Sequence, residues 1–468
     1  MSGSLSASID RPRGEVAVLG LGRSGRAVTL LLRRDGHAVY ASDGGSSPSL
    51  ADTAARLRAT GADVDVGSHD LERIGRAALV VASPGVPPTA APIVAASSRG
   101  IPVVGEMEIA LKAMPALRYI AVTGTNGKTT TTALVGHLLR ALGRDAVDAG
   151  NIGTALAEFA LRDPQPAWAA LECSSFQLHD TPGIAPTVGV VTNLRPDHLD
   201  RYASLDEYYA DKARLFANAS ASSLWVLNGD DAEVMSLHTR LGRHERLAGS
   251  VRTFRIGSRA DAWFEPDTGQ LHLFGSPFLH RSEVSLVGDH NVANVLAAAL
   301  AVASASPEHN TPDARQRLAA AVRTFEALAH RLEPVPTSDG RLWLNDSKAT
   351  NVSSTLVAVQ GMTRPFVLLL GGRHKGEPYA ALAEPFSVFG THVIAYGEAA
   401  SEIARDLAGR VPVERVNGSF EDVIARAREL TRPGDAILLS PACSSYDMFR
   451  NYEERGSVFR TLAVEPAP

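Results

Sequence analysis

"YIAVTGTNGKTTTTALV", residues 119–135, runs from a β-branched apolar stretch into a glycine-bounded loop, then a lysine and four threonines. Tyr119 to Val122 reads as a short buried strand, and Thr130 to Leu142 as a helix with Leu134, Leu138, Ala141 and Leu142 on one face. A glycine loop between strand and helix is where backbone N–H groups and a helix N-terminus hold phosphate. Gly124, Thr125, Asn126, Gly127 and Thr130 form the candidate cradle, with Lys128 reaching the terminal phosphates and the Thr129 hydroxyl taking Mg²⁺. The loop departs from the G-x-x-x-x-G-K-[ST] pattern, because position 122 is Val122 and the first glycine is Gly124. ATP and GTP both fit it. A polar turn ahead of a helix is the plainer alternative.

The chain around this loop has 468 residues, which suggests two to four domains. A formal net charge of -5 with interspersed signs offers no basic stripe for nucleic acid and no polybasic membrane segment. Only Cys173 and Cys443 are present, too few for a disulfide framework, so a reducing cytoplasm is expected. Met1 to Gly14 is Ser-rich without an apolar core and is expected to be a disordered leader rather than a signal peptide. The most apolar helix, Val292 to Ala303, is too short for membrane insertion.

Outward from the loop, apolar runs alternate with helical patterns, the signature of parallel α/β units. "EVAVLGLG", "AVYASD", "ALVVASPG" and "IPVVGE" give a first Rossmann-like unit, expected over 1–106. The opening stretch with "AWAALECSS" and "PTVGVVTNL" gives a central phosphate-loop unit, 107–327. "PFVLLLGG", "THVIAYG" and "DAILLSPA" give a third, Rossmann-like unit, 328–468. The first carries "GLGRSG", Gly20 to Gly25, with Asp43 ending the next strand. This matches the dinucleotide fingerprint, yet its physical content is only a pyrophosphate at a helix N-terminus, which UDP also has. A tight turn alone would need the same glycines.

Polar clusters follow several strands. Glu172 follows the strand Trp168 to Leu171, where a carboxylate can bind nucleotide-borne Mg²⁺; the same logic applies to Asn193, Asp197, His198 and Asp200 in "VVTNLRPDHLD". Lys212 falls on an apolar stripe with Leu205, Tyr208, Tyr209, Leu215 and Phe216. Either its stem snorkels to solvent, or desolvation lowers its pKa and frees the amine for chemistry. Asn291 and Asn294 share a helix face as caps or as partners for a base. "GGRHKG" reads as a solvated charge run or a cationic site, and Ser440, Ser444 and Ser445 as helix caps or an anion site.

Taken in order, "GTNGKTTT", "ECSSFQL", "NLRPDHLD", "GDHNVANVLAA", "HRLEPV", "NDSKATN", "LGGRHKG" and "LLSPACSSYDMFRNYEERG" resemble the Mur ligases from Glu15 to Gly456. "SSFQL", "NDSKATN" and "SPACSSYDMF" look most like the branch that adds D-glutamate. The resemblance implies an ATP-dependent, monomeric cytoplasmic ligase of peptidoglycan precursor synthesis that joins D-glutamate to UDP-N-acetylmuramoyl-L-alanine through an acyl phosphate. It implies Asn291, Asn294, Arg331 and Asp346 for ATP, and Thr129, Glu172, His198 and a carbamate on Lys212 for Mg²⁺. It implies Gly20, Gly22, Arg23, Ser24, Gly25, Asp43, Ser83, Gly85, Asn151 and His198 for the UDP-sugar substrate, and Lys348, Thr350, Lys375, Ser445 and Tyr452 for D-glutamate. Lys128, His198 and Lys212 carry the catalytic expectation. Gly44 and Gly45 depart from relatives that often place uracil-contacting side chains after the aspartate.

A dinucleotide-dependent dehydrogenase explains "GLGRSG" and Asp43 but leaves the phosphate loop without a role. A phosphate-loop switch protein would bind nucleotide without needing any co-substrate. Ligases adding other amino acids, and folylpolyglutamate synthase, are the nearer alternatives.

Overall fold

The computed structural model describes residues 14–197, 201–242 and 246–465. The leader up to Arg13, and His198 and Asp200, lie outside the described residues.

The apolar runs build three sheets. In the first, β1 (Val16–Leu19), β2 (Val39–Asp43), β3 (Asp63–Val66), β4 (Leu79–Ala82) and β5 (Val103–Gly105) run parallel in the order β3-β2-β1-β4-β5. The second contains β6 (Arg118–Thr123), β7 (Ala146–Gly150), β8 (Trp168–Glu172), β9 (Val188–Val191), β10 (Leu224–Asn228), β11 (Ser250–Ile256), β12 (Ala262–Glu265), β13 (Gln270–Leu273) and β14 (Ser276–His280). Its order is β14-β13-β12-β11-β10-β9-β6-β8-β7, parallel up to β12 and antiparallel beyond. The third contains β15 (Glu333–Val335), β16 (Leu342–Asn345), β17 (Phe366–Gly371), β18 (Gly390–Tyr396), β19 (Val413–Arg415) and β20 (Ala436–Leu439), in the order β15-β16-β20-β17-β18-β19. Only β15 runs antiparallel.

Central strands such as β4, β9 and β20 are buried along their whole length because helices cover both faces, which is why they read as unbroken apolar runs. Under the central sheet the helix Asp289–Ser304 packs against the helix Lys128–Ala141. Its alanines at 297–299, 301 and 303 are all buried, and their small side chains let the two backbones approach. It begins earlier than its apolar run, so His290 and Asn291 belong to its first turn. Among the described residues no helix is long and apolar enough to cross a membrane.

In each sheet the strand order reverses beside a central strand: β1 lies between β2 and β4, β6 between β9 and β8, β20 between β16 and β17. Ligands on open α/β sheets bind beyond the carboxyl ends of strands at such points. The motifs lie there.

Candidate active site

The loop after β6 is held in a conformation that requires glycine. Gly124 has φ 140° and Gly127 φ 79°; a Cβ would fall 2.0 Å from Thr192 Oγ1 at the first and 2.4 Å from Asn294 Oδ1 at the second. The Asn126 N–H donates to Asn193 Oδ1 (2.9 Å), and Asn193 Nδ2 donates back to the Asn126 carbonyl (3.0 Å). The helix Lys128–Ala141 starts at Gly127 with no side-chain cap, so its first N–H groups point to an anion site. Lys128 Nζ donates to the Thr125 carbonyl at 2.7 Å. Burial holds its pKa below the ordinary lysine range, against the pull of Glu172 and Asp197.

A cavity of about 440 Å³ opens beside this loop, lined by Asn126, Gly127, Thr130, Asn291, Asn294, Arg331 and Asp346 among others. The asparagines are not caps: Gly288 occupies that position, while Asn294 Nδ2 donates to Asn291 Oδ1 (3.0 Å) and Asn294 Oδ1 accepts from Thr131 (3.2 Å). Arg331 crosses from the third sheet's side to donate to Thr129 Oγ1 at 2.5 Å. It is aimed by left-handed backbone at both neighbours, His330 (φ 63°) and Leu332 (φ 44°). Asp346 accepts from Ser440 (2.7 Å) and from the Leu332 N–H (3.2 Å); burial pushes its pKa up to about 7 despite these donors and Arg331.

A larger cavity, about 850 Å³, lies over the first sheet's switch point. Gly20, Gly22, Arg23, Ser24, Asp43, Ser83, Gly85 and Asn151 line it, joined by His69 and Gln177. Gly25 is not in this lining. A Cβ there would meet the Gly20 carbonyl at 1.7 Å, so its role is the close approach of helix to strand. The Asp43 carboxylate accepts from the N–H groups of Leu21 (2.7 Å) and Gly45 (2.8 Å) and so fixes the glycine turn. Arg23 donates to the Gly153 carbonyl (2.6 Å), tying this turn to the central unit.

Glu172, at the end of β8 beside β6, is 1% exposed. Its Oε1 accepts from Asn151 Nδ2 (2.9 Å), while its Oε2 is buried with no hydrogen-bond partner. A buried carboxylate oxygen without a donor, at the carboxyl end of the strand that pairs with β6 ahead of the phosphate loop, fits Mg²⁺, which favours one or two carboxylates plus substrate oxygens; the Thr129 hydroxyl here accepts from Arg331. Among the described residues no three His, Cys, Asp or Glu side chains gather as a metal site. Lys212 does not snorkel. At 1% exposure its ammonium donates to the Gly124 carbonyl (2.7 Å) beneath the phosphate loop and lies 4.6 Å from the Tyr208 ring centroid. Burial, then Lys128, drives its pKa well below the usual value. The expected His198 lies outside the described residues.

The expected D-glutamate residues divide. Lys348 lines both cavities, and Tyr452 lines the larger, with the Lys348 ammonium 5.3 Å from its ring centroid. Thr350, Lys375 and Ser445 line neither cavity. Lys375 Nζ donates to Thr350 Oγ1 (3.3 Å), and Ser445 is buried on the neighbouring loop, whose Ser444 bridges to Arg373. Arg373 itself pairs in solvent with Glu398. None of the three serines caps the following helix, Tyr452–Val464, whose cap is Asn451; Ser440 serves Asp346 and Ser444 the Arg373 carbonyl.

Two arrangements could not be read from the sequence, although Asp197 and Asn351 are among its polar candidates. Ser353 and Ser354 bond Asn126 of the phosphate loop (3.1 and 2.9 Å), and Asn351 bonds Asp197 (3.0 Å), so the third unit touches the nucleotide loop directly. Arg455, fully buried, donates to Ser347 Oγ (3.0 Å) and to the carbonyls of Ser347 (2.8 Å), Cys443 (3.1 Å) and Gly371 (3.4 Å). One guanidinium thereby joins the ends of β16, β20 and β17 and the loops that follow.

Models of three families match in this order: the Mur ligase MurD-like N-terminal domain at 14–105, the Mur ligase middle domain at 122–302, and the Mur ligase glutamate ligase domain at 330–443. The UDP-N-acetylmuramoylalanine--D-glutamate ligase of Anaeromyxobacter dehalogenans is 40% identical over 469 residues, covering 97% of this chain and 98% of its own. That of Pelotomaculum thermopropionicum is 37% identical over 460 residues, with 97% and 98% covered. Among solved structures, the UDP-N-acetylmuramate-alanine ligase MurC of Thermotoga maritima superposes with a TM-score of 0.58 at 19% identity, covering 96% of this chain and 99% of that one. With three family models in sequence and relatives alike over nearly its whole length, this chain belongs to the Mur ligase family.

Proposed function

We propose that this chain forms the amide bond between D-glutamate and UDP-N-acetylmuramoyl-L-alanine, using ATP and releasing ADP and phosphate, in peptidoglycan precursor synthesis. The curated relatives bear that activity in their names. The observation that carries the reading here is that the two cavities meet: Lys348 lines both, and Asn151, in the wall of the larger, is bonded to Glu172 beside the phosphate loop. A carboxylate reaching out of the larger cavity then meets a phosphoryl group delivered by the smaller.

The carboxylate oxygen attacks the γ-phosphorus of ATP and the bond to the β,γ-bridging oxygen breaks, giving an acyl phosphate and ADP. The neutral amine of D-glutamate adds to the acyl carbon; the tetrahedral adduct expels phosphate and the amine gives up its extra proton. Lys128 and the helix N-terminus behind it offset charge on the moving phosphoryl group. Lys348, in the walls of both cavities, stands between donor and acceptor and in its protonated form offsets their charge. Asn291, Asn294, Arg331 and Asp346 hold the nucleotide. Thr129 and Glu172 would hold Mg²⁺, which neutralises phosphate charge, and a carbamate on the buried, proton-poor Lys212 with His198 would serve a second ion. Lys375, Thr350 and Ser445 take the side-chain carboxylate of D-glutamate, with Lys348 near its reacting end and the backbone around Tyr452 beside it. We read 1–106, 107–327 and 328–468 as the UDP-substrate, ATP and amino-acid domains of a cytoplasmic monomer.

Phosphate release with ATP, UDP-N-acetylmuramoyl-L-alanine and a panel of D- and L-amino acids tests this. Turnover is expected with D-glutamate and little with L-glutamate, because inversion at the α-carbon separates amine and carboxylates from their partners. Turnover that needs no amino acid, or that prefers another, overturns it.

A further inference from the structure

The larger cavity has an end that neither phosphate nor peptide chemistry explains. In a parallel nucleotide-binding sheet the pyrophosphate sits at the glycine turn after β1, and the sugar and base extend over the end of β2. Here β2 ends in Asp43, whose two oxygens each accept one backbone N–H, from Leu21 and from Gly45, followed by Gly44 with no side chain to offer. A different strand fills the space. His69, on the loop after β3, lines the same cavity as Gly44. Its Nδ1 is held 2.9 Å from the hydroxyl of Ser42, which is fully buried, so the ring is fixed in orientation. Its Nε2 lies against Gly44, 3.4 Å from where a Cβ on that glycine would stand, and among the described residues it has no protein partner.

We propose that His69 is the base-reading residue of this ligase: Ser42 locks the ring, and Nε2 hydrogen-bonds the edge of the pyrimidine in the space that Gly44 leaves open. This rests on the uridine-nucleotide reading of the larger cavity. With the Ser42 hydroxyl donating to Nδ1, Nε2 carries the ring N–H and donates to the 4-carbonyl of uracil, where cytosine presents an amine that cannot accept. Uracil offers a carbonyl and a ring N–H where cytosine offers an amine and a bare ring nitrogen, so the two pyrimidines exchange donors and acceptors at the edge His69 faces.

The test is steady-state kinetics and calorimetric binding on the full chain and on His69→Ala and Ser42→Ala, with UDP and CDP as competitors. In His69→Ala the KM for the UDP-linked substrate is expected to rise about tenfold, the size of one lost buried hydrogen bond. The KM values for ATP and D-glutamate, kcat and the melting temperature should stay within twofold or a degree or so of the parent. The preference for UDP over CDP should narrow. Ser42→Ala should give a smaller change in the same direction, because it frees the ring without removing it. An unchanged KM and an unchanged UDP preference in His69→Ala overturn the assignment. Failure of the unmodified chain to bind UDP overturns the nucleotide reading of the cavity itself, and the base-reading role with it.

Discussion

Burial lowers the proton affinity of three lysines: Lys128 and Lys212, which bond carbonyls of the phosphate loop, and Lys348, shared by both cavities, the last to about 8. The Lys348 value sets a pH response. Its folded pKa lies below the ordinary 10.5, so the folded chain sheds this proton before the unfolded chain does. The contribution to stability therefore rises with pH between about 8 and 10.5, while the cation needed between the two cavities is lost as pH passes 8. Activity should fall along an alkaline limb near pH 8, and Lys348→Arg, whose charge persists, should move that limb upward in a pH–rate profile even if it lowers the plateau. Lys128→Ala should cost about 10²–10³ in kcat, as removal of one charge-stabilising donor does, with an unchanged melting curve; near-normal turnover would exclude the phosphate loop from the chemistry. At this scale the sequence was informative where chemistry imposes spacing. The lysine on an apolar stripe was visible from periodicity alone, but its contact with the Gly124 carbonyl joins residues 88 positions apart.

The helix Tyr452–Val464 shows what an element contributes beyond its own face. Arg455 sits in its first turn region, buried among loops that follow three different strands, and its bonds run to Ser347, Gly371 and Cys443. Replacing it by methionine strands buried carbonyls, and a loss of about 3 kcal/mol in chemical denaturation is expected, with the KM for D-glutamate raised more than that for ATP. Equal shifts in both constants would make the arginine a general stabiliser only. Nothing in "FRNYEERG" marked it, because an arginine beside glutamates reads as a solvated helix face. The strands divide similarly. β6, β8 and β9 were legible since covered strands are apolar throughout. β12 to β14 were missed because their burial is interrupted by polar positions such as Glu265, Gln270, His272 and His280, and because they gain their identity from antiparallel partners. A strand defined by its neighbour leaves little trace in its own composition.

Across the whole molecule, the third unit rests on the phosphate loop through Arg331 to Thr129, Asn351 to Asp197, and Ser353 and Ser354 to Asn126. These are few and polar, the kind of contact that docks one unit on another reversibly. The double variant Ser353→Ala with Ser354→Ala should enlarge the radius of gyration measured by solution scattering with ATP analogue and UDP-linked substrate present, and should lower kcat without altering each sheet's stability. Equal scattering curves for parent and variant would show that these hydroxyls do not hold the units together. Order and number of the three units were legible from recurring strand–loop–helix runs; the contacts between them were not, since they rest on serines that any loop can carry.

Lys348 belongs to the walls of both cavities, and with a pKa of about 8 it is roughly half protonated at that pH. An anion entering either cavity favours the charged form, so binding becomes a proton-uptake event: about half a proton per ligand bound near pH 8, and fewer as the pH falls. Calorimetric enthalpies for the UDP-linked substrate should therefore differ between buffers of high and low ionisation enthalpy at pH 8 and converge at pH 6. In Lys348→Arg the buffer dependence should vanish. Apparent affinity for either ligand then weakens as the solution becomes more alkaline, and the enzyme draws a hydrogen ion from its surroundings each time it loads.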